Sequence, residues 1–365
     1  MTQKLASAWQ FFRDLCRTLP RCWRASRDEG VSVLRQIIEI VVLRLGPGKL
    51  TPDDYHLMRV YRRGLSFADK SKYLSNPATG VIGRDRRWGV IADDKLLTYA
   101  LLSAHGIKVP EIYAISHPSR AFGQRPALKS AAELEEYLLS KGPFPFFSKP
   151  IRGSYSKDGM LVGSLDDTRT ALLLGDGSSL PLKDYVRHCS ERPSGVLIQE
   201  LLHPHAAIAA LVGDRLCTVR MIVLFDDKGP RLHCALWKIA ASGNMADNYW
   251  RKGNILALLD RETGTVVRCT VGLGAELREV DRHPGTNECL PGFAIPQWDE
   301  LRELTFRAAR ALPGLPVQAW DIAPTTKGPM ALEVNVFGSL FLPQIAVQSG
   351  IYQGEFREFM NAHRK

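Results

Sequence analysis

The sequence predicts an α+β fold with a basic helical N-terminal extension. Three observations carry this expectation. Helical periodicity dominates the chain up to Gly142, strand-like segments dominate after it, and the strict strand–helix–strand alternation of a doubly wound sheet is missing. A chain of 365 residues with 45% hydrophobic and 24% charged residues can bury a core and has room for about two domains, which excludes a disordered, collagen-like or mucin-like chain.

Residues 5–45 read as helical, with breaks expected near Pro20 and near Asp28-Glu29-Gly30, and Gly46-Pro47-Gly48 is a stop. Thr51-Pro52-Asp53-Asp54 restarts a helix with a capping hydroxyl, proline in the first turn and acids that suit the macrodipole. A helix from Asp93 runs through Leu96, Leu97, Ala100 and Leu101 to Gly106, and Val109–Ile115 reads as a strand. Ser130 with Glu133 forms a capping box. Strands are expected at 144–149, 195–202, 216–225, 233–240, 255–259 and 265–271, then a helix at 298–312 and a final hairpin.

Charge is uneven. Residues 1–88 hold 17 Lys+Arg against 8 Asp+Glu, a net of +9, and the remainder hold 31 against 30. Either the first quarter presents a solvated basic face, or it meets an anionic partner such as a membrane surface or a phosphorylated carrier. Interleaved Trp9, Phe11, Phe12 and Trp23 suit a membrane or partner helix better than a nucleic-acid groove, so nucleic acid is not expected. No apolar run reaches the length of a bilayer span, and Met1–Leu15 lacks the pattern of a secretory signal. Seven scattered cysteines without CxxC point to reduced thiols and a cytoplasmic setting, including the periphery of the inner membrane face.

The most informative segment is the terminal hairpin. Val317–Ala323 and Met330–Phe337 flank a turn centred near Lys327, with Asp321 six residues before it and Glu333 six after. A symmetric hairpin sets these acids directly opposite each other, and Asn335 shares their face by strand alternation. Like charges so placed destabilise a sheet. Ala319, Ala323 and Ala331 are expected on the same face, leaving room above it, with Trp320, Ile322, Leu332 and Val334 on the core face. A divalent cation removes the repulsion, and carboxylate and amide oxygens suit Mg²⁺ completed by phosphate oxygens and water.

Phosphate-binding elements should then lie upstream. Lys149 ends an apolar strand and leads into a loop containing Gly153, Ser154, Tyr155, Ser156 and Gly159, whose peptide N–H groups suit phosphates, although no Walker loop is present. Lys95 stands in a first helical turn, where the macrodipole disfavours a cation, so it meets either an anion or Asp93 or Asp94. Arg220 and Lys238 interrupt apolar strands and require a carboxylate or phosphate partner. Gln199-Glu200-Leu201-Leu202 ends a strand where a chain crossing between lobes offers backbone groups to an adenine edge, or is simply an exposed strand end.

In order, these residues resemble the ATP-grasp superfamily, and more narrowly its sugar-transfer-associated branch, related to glutamate ligases. The resemblance begins at Leu43-Arg-Leu-Gly-Pro-Gly-Lys-Leu-Thr-Pro-Asp-Asp-Tyr55. It continues through Asp93-Asp-Lys-Leu-Leu97, Ser148-Lys-Pro150 and Thr218-Val-Arg220 to Ala319-Trp-Asp-Ile-Ala323 and Leu332-Glu-Val-Asn335. It implies two α+β lobes gripping ATP, with 1–50 a basic helical region, 51–90 a helical linker, 91–194 the N-lobe and 195–365 the C-lobe with the metal site. Carried over by position, Lys95 and Lys149 are the nucleotide-binding lysines, Gly153–Gly159 the phosphate lid, and Gln199–Leu202 the adenine-reading segment. Asp321, Glu333 and Asn335 are the ligands for Mg²⁺, with Mn²⁺ as an alternative ion. Arg220 and Lys238 are the catalytic cations, and Asp247, Asn248, Arg251 and Asn254 contact substrate. The arginine that amino-acid ligases often carry just before the first metal ligand is replaced here by Ala319 and Trp320.

The resemblance implies an amide-forming ligase that joins a small-molecule or glycan carboxylate to an amine through an acylphosphate, in a setting of polysaccharide biosynthesis. A kinase acting on a hydroxyl and a non-catalytic nucleotide-binding scaffold are the alternatives. Asp321→Asn and Glu333→Gln are both expected to abolish turnover and leave the fold intact.

Overall fold

The computed structural model describes residues 2–75, 86–153, 158–241, 244, 247–249, 251–336 and 340–364. Helices α1 (Thr2–Glu29), α2 (Val33–Leu45), α3 (Pro52–Leu57) and α4 (Phe67–Lys70) come first, then α5 (Arg86–Asp93) and α6 (Lys95–Ala104). The next stretch holds β1 (Ile112–Ser116), β2 (Ala127–Leu128), α7 (Ala131–Lys141), β3 (Phe146–Pro150), β4 (Met160–Leu165), β5 (Ala171–Leu174), β6 (Ser179–Pro181), α8 (Leu182–Ser190) and β7 (Val196–Glu200). After α9 (Ala206–Val212) come β8 (Val219–Asp226), β9 (Gly229–Ile239), β10 (Ile255–Leu259), β11 (Val266–Val271), β12 (Arg278–Glu279) and α10 (Trp298–Arg310). The chain closes with β13 (Val317–Thr325), β14 (Gly328–Asn335), α11 (Phe341–Val347) and α12 (Gly354–Ala362).

The strands form two seven-stranded sheets, ordered β2-β1-β7-β3-β4-β5-β6 and β12-β11-β10-β9-β8-β13-β14. All pairs are antiparallel except β1 with β2. β7, which the 195–365 assignment groups with the second lobe, is hydrogen-bonded between β1 and β3 of the first sheet. In the first lobe Leu134 and Leu138 of α7 and Tyr185 of α8 pack on Phe146, Val162 and Ile198. In the second, Leu301 and Ala308 of α10 pack on Met221, Trp237 and Trp320. Helix α6 touches both, with Leu96 and Tyr99 against Ile151 and Leu197, and Leu102 in the second core.

Local chemistry places the helix starts where the sequence predicts them. Thr51 accepts from the Asp54 N–H at 3.1 Å and Ser130 from the Glu133 N–H at 3.2 Å. The start of α6 differs by one residue: Asp94, not Asp93, is the cap, accepting from Leu96 and Leu97 N–H at 3.1 and 3.2 Å. The break expected at Pro20 is also corrected, since α1 runs through it without interruption. An interior proline loses one helical hydrogen bond at a cost of about 3 kcal/mol. Here Thr18, Cys22 and Ala25 beside it are buried, and that packing holds the helix together.

The N-terminal helices sit on the face of the second sheet that also carries the polar residues described below. Cys22, Ile40, Leu43, Tyr55 and Tyr61 form one cluster with Leu236, Leu256 and Phe341. At its edge lies a buried ion pair. Lys70, fully buried, donates to the Glu39 carboxylate at 2.6 Å, and the Tyr55 hydroxyl donates to the same oxygen at 2.6 Å. Arg35 donates to the other oxygen at 2.8 Å from the solvent side. Removing one partner of a buried pair leaves an uncompensated charge, so Glu39→Ala should lose about 3–5 kcal/mol of stability. Arg35→Ala, at the exposed partner, should lose less than about 1 kcal/mol. Urea unfolding of both variants checks this, and equal losses would contradict it.

Candidate functional site

The two sheets face a cavity of about 220 Å³. From the first lobe Lys95, Lys149, Gly153 and Gly159 line it, and Gln199–Leu202 form the crossing. From the second lobe come Lys238, Asp247, Arg251, Asp321 and Glu333. Arg220 lies directly behind Asp321, and Asn335 follows Glu333 on β14; Asn248 and Asn254 stand next to the lining residues without lining the cavity themselves. Ser154, Tyr155 and Ser156 of the glycine-rich loop lie outside the described residues.

The registers explain the second-lobe half. Asp321 on β13 is opposite Arg220 on β8 and opposite Glu333 on β14, the pairing read from the hairpin symmetry. Arg220 donates through Nε to Oδ1 of Asp321 at 2.8 Å and through Nη2 to Oδ2 at 2.7 Å. Lys238 on β9 adds a hydrogen bond to Oδ2 at 3.0 Å and lies 3.6 Å from Asp247, whose carboxylate accepts from the Thr218 N–H at 2.7 Å. Burial by itself disfavours all these charges, but their attraction outweighs it. Asp321 is held far below the usual carboxylate range, and Arg220 and Lys238 are held above their ordinary values. Arg220 thus has the structural carboxylate partner that was one of the two expected for it.

One expected face assignment is corrected. The β13–β14 ladder shifts register between Asp321 and Ile322, pairing Ile322 with Ala331, so Leu332 is the extra residue of a β-bulge. Leu332 therefore lines the cavity, and Ala331 joins the core with Trp320, Ile322 and Val334. The bulge has a further consequence. Tyr99 of α6 donates to the Leu332 carbonyl at 3.0 Å, and its hydroxyl accepts from Lys149 Nζ at 2.9 Å. The enclosing protein pushes the Lys149 ammonium down to about 7, first by desolvation and then by the charge of Lys95, with Glu333 opposing. Tyr99 was missed in the sequence, although it stands one helical turn after Lys95 on the same helix.

The remaining first-lobe residues are committed differently from the expectations. Asp94 is clamped by Arg120 through two hydrogen bonds of 2.7 Å, so it does not pair with Lys95. Lys95 instead donates to the Gly153 carbonyl at 3.1 Å, at the mouth of the loop. The Glu200 carboxylate accepts from the Glu111 N–H at 2.9 Å and from Lys327 Nζ, a residue of the β13–β14 turn. The acid at the crossing therefore fastens the lobes together. Among the described residues no backbone hydrogen bond uses the peptide groups of Leu201 or Leu202, which stay open toward the cavity. Phe147, Leu161 and Leu216 add apolar walls that the sequence reading did not single out.

Two cations, Arg220 and Lys238, face three carboxylates, Asp321, Asp247 and Glu333. Among the described residues Glu333 makes no ion pair, and Asn335 Nδ2 is buried without a hydrogen-bond partner. Nδ2 is a donor and no ligand itself, but the Asn335 side-chain oxygen and the Glu333 carboxylate, which lies against that of Asp321 and feels Arg220 and Lys238 without an ion pair of its own, are oxygens of the kind a hard divalent cation takes. Among the described residues no three His, Cys, Asp or Glu form a metal cluster by themselves, so such a cation would need oxygens from Asn335 and from its ligand.

The ion pairs set apart the two acid variants that are both expected to leave the fold intact. Asp321→Asn leaves Arg220 in the interior without its carboxylate and Lys238 with Asp247 alone, and should lose about 3–5 kcal/mol. Glu333→Gln should change stability by less than about 1 kcal/mol, because its carboxylate holds no cation. Thermal unfolding separates the two, and an Asp321→Asn variant as stable as wild type would contradict the ion-pair assignment.

The sequence matches the family described as sugar-transfer associated ATP-grasp over residues 84–358. The Leu43–Tyr55 stretch, where the resemblance was expected to begin, lies before that match. No curated protein matches the chain. Among solved structures it is similar to D-alanyl-alanine synthetase A from Vibrio cholerae, at 11% identity over 77% of this chain and 68% of that one, with a TM-score of 0.44. It is also similar to VanG D-Ala:D-Ser ligase from Enterococcus faecalis, at 16% identity over 77% and 63%, with a TM-score of 0.44. A third is N5-carboxyaminoimidazole synthase from Aspergillus clavatus in complex with ADP and 5-aminoimidazole ribonucleotide, at 10% identity over 72% and 51%, with a TM-score of 0.39. The chain spans about half the length of that last protein. With well over half of its length inside one family match, the chain belongs to the sugar-transfer associated ATP-grasp family.

Proposed function

We propose that the chain is an ATP-dependent ligase that joins a carboxylate to an amine. The observation that supports this most is that Lys95, Lys149, Asp321 and Glu333 line one cavity with the open Leu201–Leu202 backbone. In this reading the adenine edge meets the peptide groups of Leu201 and Leu202, with Phe147 and Leu161 as apolar walls. Lys149 and Lys95 meet the phosphates, and Gly153–Gly159 covers them.

Glu333 and Asn335 would hold Mg²⁺, or Mn²⁺, with Asp321 sharing a lone pair not taken by Arg220 or Lys238. Bound there, the ion neutralises charge on the transferring phosphoryl group. The chain's own part is positioning and electrostatics, which phosphoryl transfer needs more than a covalent nucleophile. Lys149, held by Tyr99 at the bulge, is pre-aimed and costs little reorganisation. The substrate carboxylate attacks the γ-phosphorus, the bond to ADP breaks, and an acylphosphate forms. The amine then attacks the acyl carbon, phosphate leaves with the electron pair, and the amine loses a proton. In this reading Arg251 and Asp247, which line the cavity from the second lobe, would meet the acid and the amine, with Asn248 and Asn254 next to them. The family's association with sugar transfer favours a sugar-borne substrate of polysaccharide assembly.

Protonation provides one test. A lysine near 7 is about half neutral at pH 7, and phosphate binding favours its charged form. Binding therefore takes up about half a proton at pH 7, and affinity weakens by about fivefold from pH 7 to 8. Calorimetry of ATP with Mg²⁺ in buffers of different ionisation enthalpy should show that uptake in wild type and its loss in Lys149→Met. A flat affinity with no uptake would contradict the assignment of Lys149.

Chemistry provides the other. With Mg²⁺, ATP and a pool of carboxylates, hydroxylamine should trap a hydroxamate, with ADP and phosphate released in equal amounts, and Glu333→Gln should lower the rate by at least about a hundredfold. ADP release without phosphate would identify a kinase instead, and binding without turnover a scaffold.

A further inference from the structure

We propose that the outer faces of α1 and α2 dock the chain on an anionic lipid bilayer, with both helices lying in the interface. The inner faces are already used: Cys22 and Ala25 of α1, and Ile40 and Leu43 of α2, pack into the cluster on the second sheet. The outer face of α2 is nevertheless apolar. Leu34, Ile38, Val41, Val42 and Leu45 are all exposed, Leu45 by 76% and Leu34 by 66%. Their spacing of i, i+4, i+7, i+8 and i+11 draws one stripe about 16 Å long. A water-facing helix of this kind normally carries charge there, and an apolar stripe opposite a filled core face marks an interaction surface.

The outer face of α1 supplies the headgroup chemistry. Trp9, Phe12 and Trp23 are exposed, and at 100° per residue they fall within about 60° of one another. Arg13, Arg17, Arg24 and Arg27 are exposed around the same sector. Arg13 and Arg17 make no ion pair among the described residues. Aromatic rings flanked by arginines suit the boundary between acyl chains and phosphates, where rings enter and guanidinium groups stay with the anions. The same charge disfavours a second copy set face to face, since the arginines would meet each other. Among the described residues no helix is long and apolar enough to cross a membrane, so the surface fits docking rather than spanning. These residues lie outside the family match and outside the cavity, so the inference does not rest on the ligase reading.

The test uses the full chain and sedimented vesicles of phosphatidylcholine alone or with phosphatidylglycerol. Binding should require phosphatidylglycerol and weaken in salt. Each arginine near an anionic surface is worth about fivefold, so Arg13→Gln with Arg17→Gln should weaken binding by about 25-fold. Leu34→Ser with Leu45→Ser should weaken it by at least tenfold, to the order expected from two lost apolar contacts. Independently of any variant that misfolds, tryptophan fluorescence of the wild type should be quenched by brominated lipid. Absence of sedimentation and quenching would overturn the proposal, as would equal binding to both vesicles. A wild-type dimer in ultracentrifugation that becomes a monomer in the Leu34→Ser, Leu45→Ser variant would also overturn it, in favour of a second copy.

Discussion

A single buried carboxylate organises this molecule. Asp321 is 2% exposed and receives two hydrogen bonds from Arg220 and one from Lys238, so three neighbouring strands are tied through one side chain. A carboxylate so buried would be costly without cations, and the cations would be equally costly without it. The group is self-consistent only as a whole, and among the described residues it leaves Glu333 without an ion pair of its own, its charge felt by Arg220, Lys238 and Lys149 at longer range. The site's polarity therefore follows from strand register: antiparallel pairing brings Arg220, Asp321 and Glu333 side by side, and nothing in the immediate sequence of any one strand requires it.

A local irregularity carries the geometry to the opposite lobe. The bulge at Leu332 frees a carbonyl from the ladder, and Tyr99 takes it up. Through the same hydroxyl Tyr99 holds Lys149, whose strand belongs to the first sheet. A second tie runs from the β13–β14 turn, where Lys327 reaches Glu200 at the crossing. Both ties connect the hairpin to the first lobe, one at Lys149 and one at Glu200. A movement of either lobe would thus be felt at Lys149 and at the crossing together.

Much of this was legible in the sequence, for identifiable reasons. The hairpin was readable from period-two alternation around a turn, and Asp321 does face Glu333, but by way of the bulge: the turn closes at Thr325 and Gly328, and an unbulged ladder would set Asp321 opposite Leu332. Helix starts were readable where a capping side chain stands at a fixed offset, as at Thr51 and Ser130. Four things were not. The bulge inserts one residue without a signature at Leu332, so parity failed for Leu332 and Ala331. Pro20 inside α1 survives because tertiary burial outweighs a local penalty. The partners of Asp94 and Glu200, namely Arg120 and Lys327, are 26 and 127 residues away, beyond any local pattern. The short strands β4 to β6 were likewise missed, because each holds at most one buried residue and so carries little periodicity.

The central claim is that Glu333 and Asn335 complete a cation site that only a phosphate-bearing ligand can fill, opposite Lys149. The most direct measurement is a crystal structure with a non-hydrolysable ATP analogue and Mn²⁺, with the ion located by its anomalous signal. The account predicts an anomalous peak bonded to Glu333, Asn335 and phosphate oxygens, with Lys149 on the phosphates and the base against Leu201 and Leu202. An analogue bound in the cavity with no ion at Glu333, or an ion held elsewhere, would contradict it.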